Sequence, residues 1–235
     1  MSAFARFVCA DARMLLRSGY IWANLVVFGL MLLVAFQASH LDFAGYQNFI
    51  AAIALFNVVL TPVMLVGLMV LVERGEGSAT VLCVCPAPLS VYMAARTTIV
   101  VGISLAEILV LVAAVYDAAL SPIVLAVGLG LAAGMAALAG FMLAAFFEDL
   151  YAFILPMIVT VLVLGAPGYA VLLNADPEVL VWHPTAGALA LIEAGFTPGA
   201  RVHSLALASA VVWCPIAIML AYGAMRRLQM RLGGS

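Results

Sequence analysis

Residues able to do chemistry with water-soluble partners are concentrated in one short stretch, Glu73-Arg74-Gly75-Glu76-Gly77-Ser78, set between two long apolar segments and followed by Leu82 and Pro86. The known catalytic arrangements are missing. The chain has no His-Glu-x-x-His metal helix, no Gly-x-Ser-x-Gly nucleophile elbow and no phosphate-binding Gly-x-x-x-x-Gly-Lys-Ser/Thr loop. It has nine arginines and no lysine, so it cannot supply a phosphate-binding loop lysine. Any ATP and Mg that drive this molecule must be bound by another chain. No catalytic residue, cofactor or metal ligand is expected on this one, and nothing points to nucleic acid. Cys83 and Cys85 have no neighbouring His or Cys to complete a zinc site and read as small apolar residues.

The elements that position this stretch follow from composition. Of 235 residues, 68% are hydrophobic and 9% charged, and the mean hydropathy is +1.27. That balance excludes a soluble domain. Six continuous apolar runs, 20–38, 49–72, 91–116, 121–147, 151–173 and 204–225, are each long enough to cross roughly 30 Å of hydrocarbon as a helix. The expected fold is an all-α integral membrane domain covering 1–235. Threaded in order, the spans leave Arg6, Arg13, Arg17, Arg74, Arg96, Arg226, Arg227 and Arg231 on one side and Arg201 on the other. By the positive-inside rule both termini are expected in the cytoplasm. The run from Tyr20 is too long for a signal-peptide core and reads as a retained span.

Residues 2–18 pattern as an amphipathic helix lying on the membrane. Arg6, Arg13 and Arg17 share one stripe, facing lipid headgroups together with Arg226 and Arg227. Phe4, Val8 and Leu15 form the opposite stripe. Asp11 falls on that apolar stripe, which calls for a basic partner on another element or a tilted helix. Residues 176–196 contain two apolar pieces too short to span, expected as re-entrant helices in the outer leaflet with Pro177 and Pro184 in their first turns. Pro62, Pro156 and Pro215 are expected to kink or loosen their spans. Gly130 and Gly134 permit close helix approach, either to a second subunit or within one bundle.

Glu107 is the one charged residue well inside a predicted span. It calls for a bundle interior, a water-filled cavity or an interface. Two readings stay open: a translocation-path or gating group, or an interhelical hydrogen bond. Gln37, Asn57 and Thr61 are weaker versions of the same case. After Glu73, Gly75 and Gly77 break the helix. Ser78 can cap a short helix that Pro86 stops, within a loop helix expected over 74–86.

The spacing Glu73-Arg74-x-x-Gly77-Ser78-x-x-x-Leu82-x-x-x-Pro86-x-x-x-x-x-Tyr92-x-x-x-Arg96 resembles the coupling-helix region of type-2 ABC exporter permeases. The layout of the whole chain is similar to theirs, closest to the small drug-export permeases of the fluoroquinolone-export type. There His183-Pro184-Thr185 and Gly195-Phe196 also have counterparts. Glu148-Asp149 and Arg96 stand where the family often has lysine, and heme-export permeases share the Glu–Gly–Leu–Pro pattern. The resemblance implies an ABC-transporter permease in a bacterial plasma membrane. It implies two partners: ABC ATPase subunits, and a second permease copy or a sibling permease. In it Glu73, Arg74, Gly77, Ser78, Val81, Leu82 and Pro86 would dock the ATPase, with Val81 and Leu82 filling its groove. The cargo would be an apolar or amphipathic small molecule, as in multidrug efflux. The residues alone also allow an ATP-independent channel or proton-linked carrier using Glu107, or a scaffold that recruits a cytoplasmic protein.

Overall fold

The computed structural model describes residues 2–40, 46–78, 87–116, 120–173, 180–197 and 204–233. It is helical throughout these segments. The helices are α1 (Ala3–Ser18), α2 (Tyr20–Ser39), α3 (Tyr46–Gly75), α4 (Leu89–Val115), α5 (Pro122–Phe146), α6 (Leu150–Leu164), α7 (Ala166–Leu172), α8 (Ala186–Phe196) and α9 (Ser204–Gly233). Five of them are long and apolar enough to cross a membrane. The bent pair α6–α7 makes a sixth crossing if counted as one span. The chain is thus a multi-pass, all-α membrane protein.

α3 is the axis. It packs on α2, α4, α5, α6, α7 and α8, and Val58, Val59, Val63, Leu65 and Val66 along it are wholly buried. α5 lies closest against it because Gly140 presents no side chain: a Cβ there would sit 2.9 Å from the Val63 carbonyl oxygen. The outward faces of α2 and α9 are apolar, with Trp22, Val26, Leu30, Val211 and Met219 exposed, as lipid contact requires. α1 meets α2 at Gly19, whose φ of +78° turns the chain sharply between them.

Several expectations need correction. The span expected over 151–173 is broken: α6 and α7 meet at 52°. The break lies at Gly165, where Pro167 in the first turn of α7 cannot donate to the preceding turn. Pro62, Pro156 and Pro215 lie inside helices that continue past them. Only the second of the two short outer helices lies within the described residues, as α8, beginning at Ala186 two residues after Pro184. Gly130 and Gly134 do not pack within the bundle, since a Cβ on either meets nothing within 4 Å. Gly128, beside the backbone of Ile192, makes the close approach to α8.

Candidate functional site

The loop stretch is anchored by a buried ionic cluster that joins three helices. Arg96, on the second turn-pair of α4, is completely buried. Its Nη2 donates to Asp11 Oδ1 at 2.7 Å and its Nε to Asp11 Oδ2 at 3.3 Å, a two-pronged grip on α1. Its Nη1 donates to Glu73 Oε2 at 3.1 Å, and its Nη2 also pairs with Glu73 Oε1, reaching the end of α3. Tyr92, one turn earlier on α4, donates its hydroxyl to Glu73 Oε2 at 2.6 Å. Its ring lies under the guanidinium, 4.6 Å from Cζ to centroid. Phe7 of α1 closes against that ring edge-on. Two carboxylates therefore share one buried guanidinium, Asp11 almost wholly shielded and Glu73 partly exposed. Burial pushes the Asp11 carboxyl up from the usual carboxylate range; Arg96 pulls the other way and Glu73 adds to the push.

Asp11 on the apolar stripe thus has its basic partner from another element. Tyr92 entered the sequence reading only as a motif position and Arg96 only as that and as one of the inner-side arginines, and the misplaced acid was the signal that could have found them. Arg74 points the opposite way. Its Nη1 donates to the carbonyls of Ala144 and Phe147, tying α3 to the end of α5. Its approach to the exposed Glu148, at 3.9 Å, is slight. Gly77 takes φ +72°, the left-handed turn that ends α3. Ser78 donates its hydroxyl to the Glu73 carbonyl at 3.1 Å. Val81, Leu82, Pro86 and the short helix expected around them lie outside the described residues.

A second polar cluster sits deeper. Glu107 on α4 is 5% exposed, and Asn24 of α2 and Asn57 and Thr61 of α3 are more deeply buried still. Asn24 Nδ2 donates to Glu107 Oε1. Thr61 Oγ1 lies 3.1 Å from Glu107 Oε2 and 3.1 Å from Asn24 Oδ1. Asn57 Nδ2 is 3.6 Å from the Met31 sulfur, while its Oδ1 has no partner. Asn57, Thr61 and Glu107 are brought together as candidates; Gln37 is not. It sits exposed near the far end of α2, thirteen residues or about 20 Å along the helix from Asn24. Asn24 itself was missed: one asparagine in an apolar span gives no sign of its partner.

A family model described as "Fluoroquinolones export permease protein Rv2686c-like" matches residues 12–222. The chain belongs to this family. No curated protein and no solved structure matches it. For an export permease the two clusters have a plain structural meaning. The ionic one holds the base of the α3–α4 hairpin to α1, and the neutral one holds α2 to the same hairpin. Arg6, Arg13, Arg17, Arg226 and Arg227 are all exposed at the end of the permease where both termini lie. At the opposite end His183-Pro184-Thr185 forms a corner. Thr185 Oγ1 donates to the Leu164 carbonyl, 2.6 Å away beside the α6–α7 break, and Ser209 of α9 donates to the His183 carbonyl at 3.0 Å. Among the described residues no group of His, Cys, Asp and Glu could hold a metal ion.

Proposed function

We propose that this permease is the membrane-spanning subunit of an ATP-driven ABC exporter, with the segment between α3 and α4 as the handle for a separate ATPase. One observation carries the reading. Both roots of that segment, Glu73 before it and Tyr92 and Arg96 after it, converge on one buried ion cluster that also grips α1. A segment rooted this way moves with three helices at once, so a push on it is transmitted rather than absorbed. Glu73 and Arg74 serve by fixing its roots, Gly77 and Ser78 by turning the chain into it, and Val81, Leu82 and Pro86 by meeting the ATPase. In this reading both termini lie on the cytoplasmic side of a bacterial plasma membrane, which the exposed arginines of α1 and α9 support. The partners are ABC ATPase subunits, which hold ATP and Mg, and a second permease. The cargo is an apolar or amphipathic small molecule, of the drug-like kind that the family's description names.

The test is co-purification: the tagged permease, expressed together with the genes that flank its own, is expected to bring down an ABC ATPase. Leu82→Asp is expected to abolish recovery of the ATPase while leaving the permease's thermal unfolding unchanged. It is also expected to stop ATP-dependent uptake of a fluorescent fluoroquinolone into inverted vesicles. Wild-type recovery of the ATPase by the Leu82→Asp permease overturns the proposal.

A further inference from the structure

The hydrogen-bond geometry around Glu107 requires one more proton than an ionised carboxylate provides. Thr61 has a single hydroxyl proton, and its oxygen lies 3.1 Å from Glu107 Oε2 and 3.1 Å from Asn24 Oδ1. If the carboxyl is ionised, both neighbours are acceptors and one of the two contacts has no hydrogen in it. Turning the Asn24 amide over does not help. Its oxygen would then face Glu107 Oε1, again acceptor against acceptor. One proton on the carboxyl resolves both cases. Glu107 Oε2–H donates to Thr61 Oγ1, Thr61 donates to Asn24 Oδ1, and Asn24 Nδ2 donates to Glu107 Oε1, closing a ring in which every group gives once and accepts once. The flipped amide gives the same ring in the reverse sense.

A second observation points the same way. Asn57 does not supply the missing hydrogen: its Nδ2 is turned to the Met31 sulfur at 3.6 Å, and its buried Oδ1 has no donor of its own. Among the described residues no cation compensates. α2 and α5 carry no charged residue, and Tyr20 is the one titratable group on α2. α3 is charged only at Glu73 and Arg74, at its end, and the charges of α9 begin at Arg226. Arg96, about 16 Å along α4, is committed to Asp11 and Glu73.

We propose that Glu107 is a proton-binding site whose bound proton latches α2 to α3 and α4, so that moving α2 away and releasing the proton are one event. α2 is suited to move, because little of it is buried in the bundle and Asn24 is its one deeply buried polar anchor. The site is independent of whether ATP drives the permease.

Infrared spectroscopy of the full-length protein in lipid at neutral pH tests this. The wild type is expected to show the C=O stretch of a protonated buried carboxyl, lost in Glu107→Gln and kept in Asp11→Asn, which removes the other buried acid, and in Glu193→Gln, which removes a half-buried one. Glu107→Gln is expected to fold as wild type, since its amide reproduces the donor and acceptor of the acid. Absence of the band from wild type overturns the proposal, as does its survival in Glu107→Gln or failure of that variant to fold.

Discussion

Arg96 and Glu107 stand three helical turns apart on one face of α4, and each ties α4 to α3 and to a helix from the N-terminal part of the chain. The groups they use are opposite in kind. Around Arg96 the partners are charged: Asp11 from α1 and Glu73 from α3. Around Glu107 they are neutral: Asn24 from α2 and Thr61 from α3. The difference follows from depth. Arg96 lies near the end of the bundle where the exposed arginines and both termini gather. There a guanidinium can be assembled with its counter-ions without crossing hydrocarbon. Glu107 lies mid-span, where an unpaired charge costs a few kcal/mol even on the most lenient insertion scales. The first cluster is a fixed mount, and the second is a fastening that one proton makes or breaks.

The comparison breaks most visibly at Arg96. Arg96→Met removes the cation of the cluster and leaves the buried Asp11 and the partly exposed Glu73 without a counter-charge. Loss of one partner from a buried ion pair costs about 3–5 kcal/mol, so the variant is expected to unfold in mild detergent at temperatures where wild type is stable. Neutralising the acids too, in Arg96→Met with Asp11→Asn and Glu73→Gln, is expected to recover most of that loss, because neutral groups of similar shape do not need the guanidinium. Thermal unfolding of the purified proteins reads both. Equal destabilisation of the single and triple variants would show that packing of the guanidinium, and not its charge, holds the mount.

A smaller loss is expected at the neutral cluster. Asn24→Ala leaves Glu107 Oε1 without its donor and α2 without its deepest polar contact, at about 1–3 kcal/mol for a buried group left unpaired. The effect should be confined to α2. Hydrogen exchange of the reconstituted protein is expected to speed up along residues 20–39 and stay unchanged along α1, which the Arg96 cluster holds separately. Faster exchange in α1 as well would mean that the two clusters act as one.

The fold was legible in the sequence because a bilayer imposes a coarse rule. Each span needs a long apolar run, and the six runs map onto α2, α3, α4, α5, the pair α6–α7 and α9. The division between α6 and α7 was not legible. Gly165 and Pro167 lie inside a run apolar enough to span, whereas Pro156, the more obvious breaker, sits in a helix that tolerates it. The site was half legible. The motif marked Glu73 and Arg74, but nothing in their spacing says that one turns toward Arg96 and the other toward carbonyls of α5. That choice depends on which helix packs beside each, and α1 reaches Arg96 across 85 residues of sequence. Asp11 on an apolar stripe was the one sign in the sequence of the ionic cluster. Asn24 gave none, since a single amide in a span finds its partner only through the tertiary fold.

Asp11 also allows the finest test of how the mount differs from the fastening, through pH. Its carboxyl is pushed up from the ordinary range by burial, with Glu73 adding to the push, while in the unfolded chain it ionises near ~3.9. For an acid raised in the folded state, the folded protein keeps a proton that the unfolded chain has already lost. The contribution to stability is complete below the unfolded value and is lost as pH rises through the folded one, after which it stays flat. Wild type is therefore expected to lose stability across the mildly acidic range just above the unfolded value. Asp11→Asn, which cannot ionise, is expected to lack that step while still accepting a hydrogen bond from Arg96. Unfolding midpoints of the two proteins over a pH series give the comparison directly. Parallel curves would mean that Arg96 holds Asp11 ionised throughout, making the mount a simple salt bridge with no proton of its own.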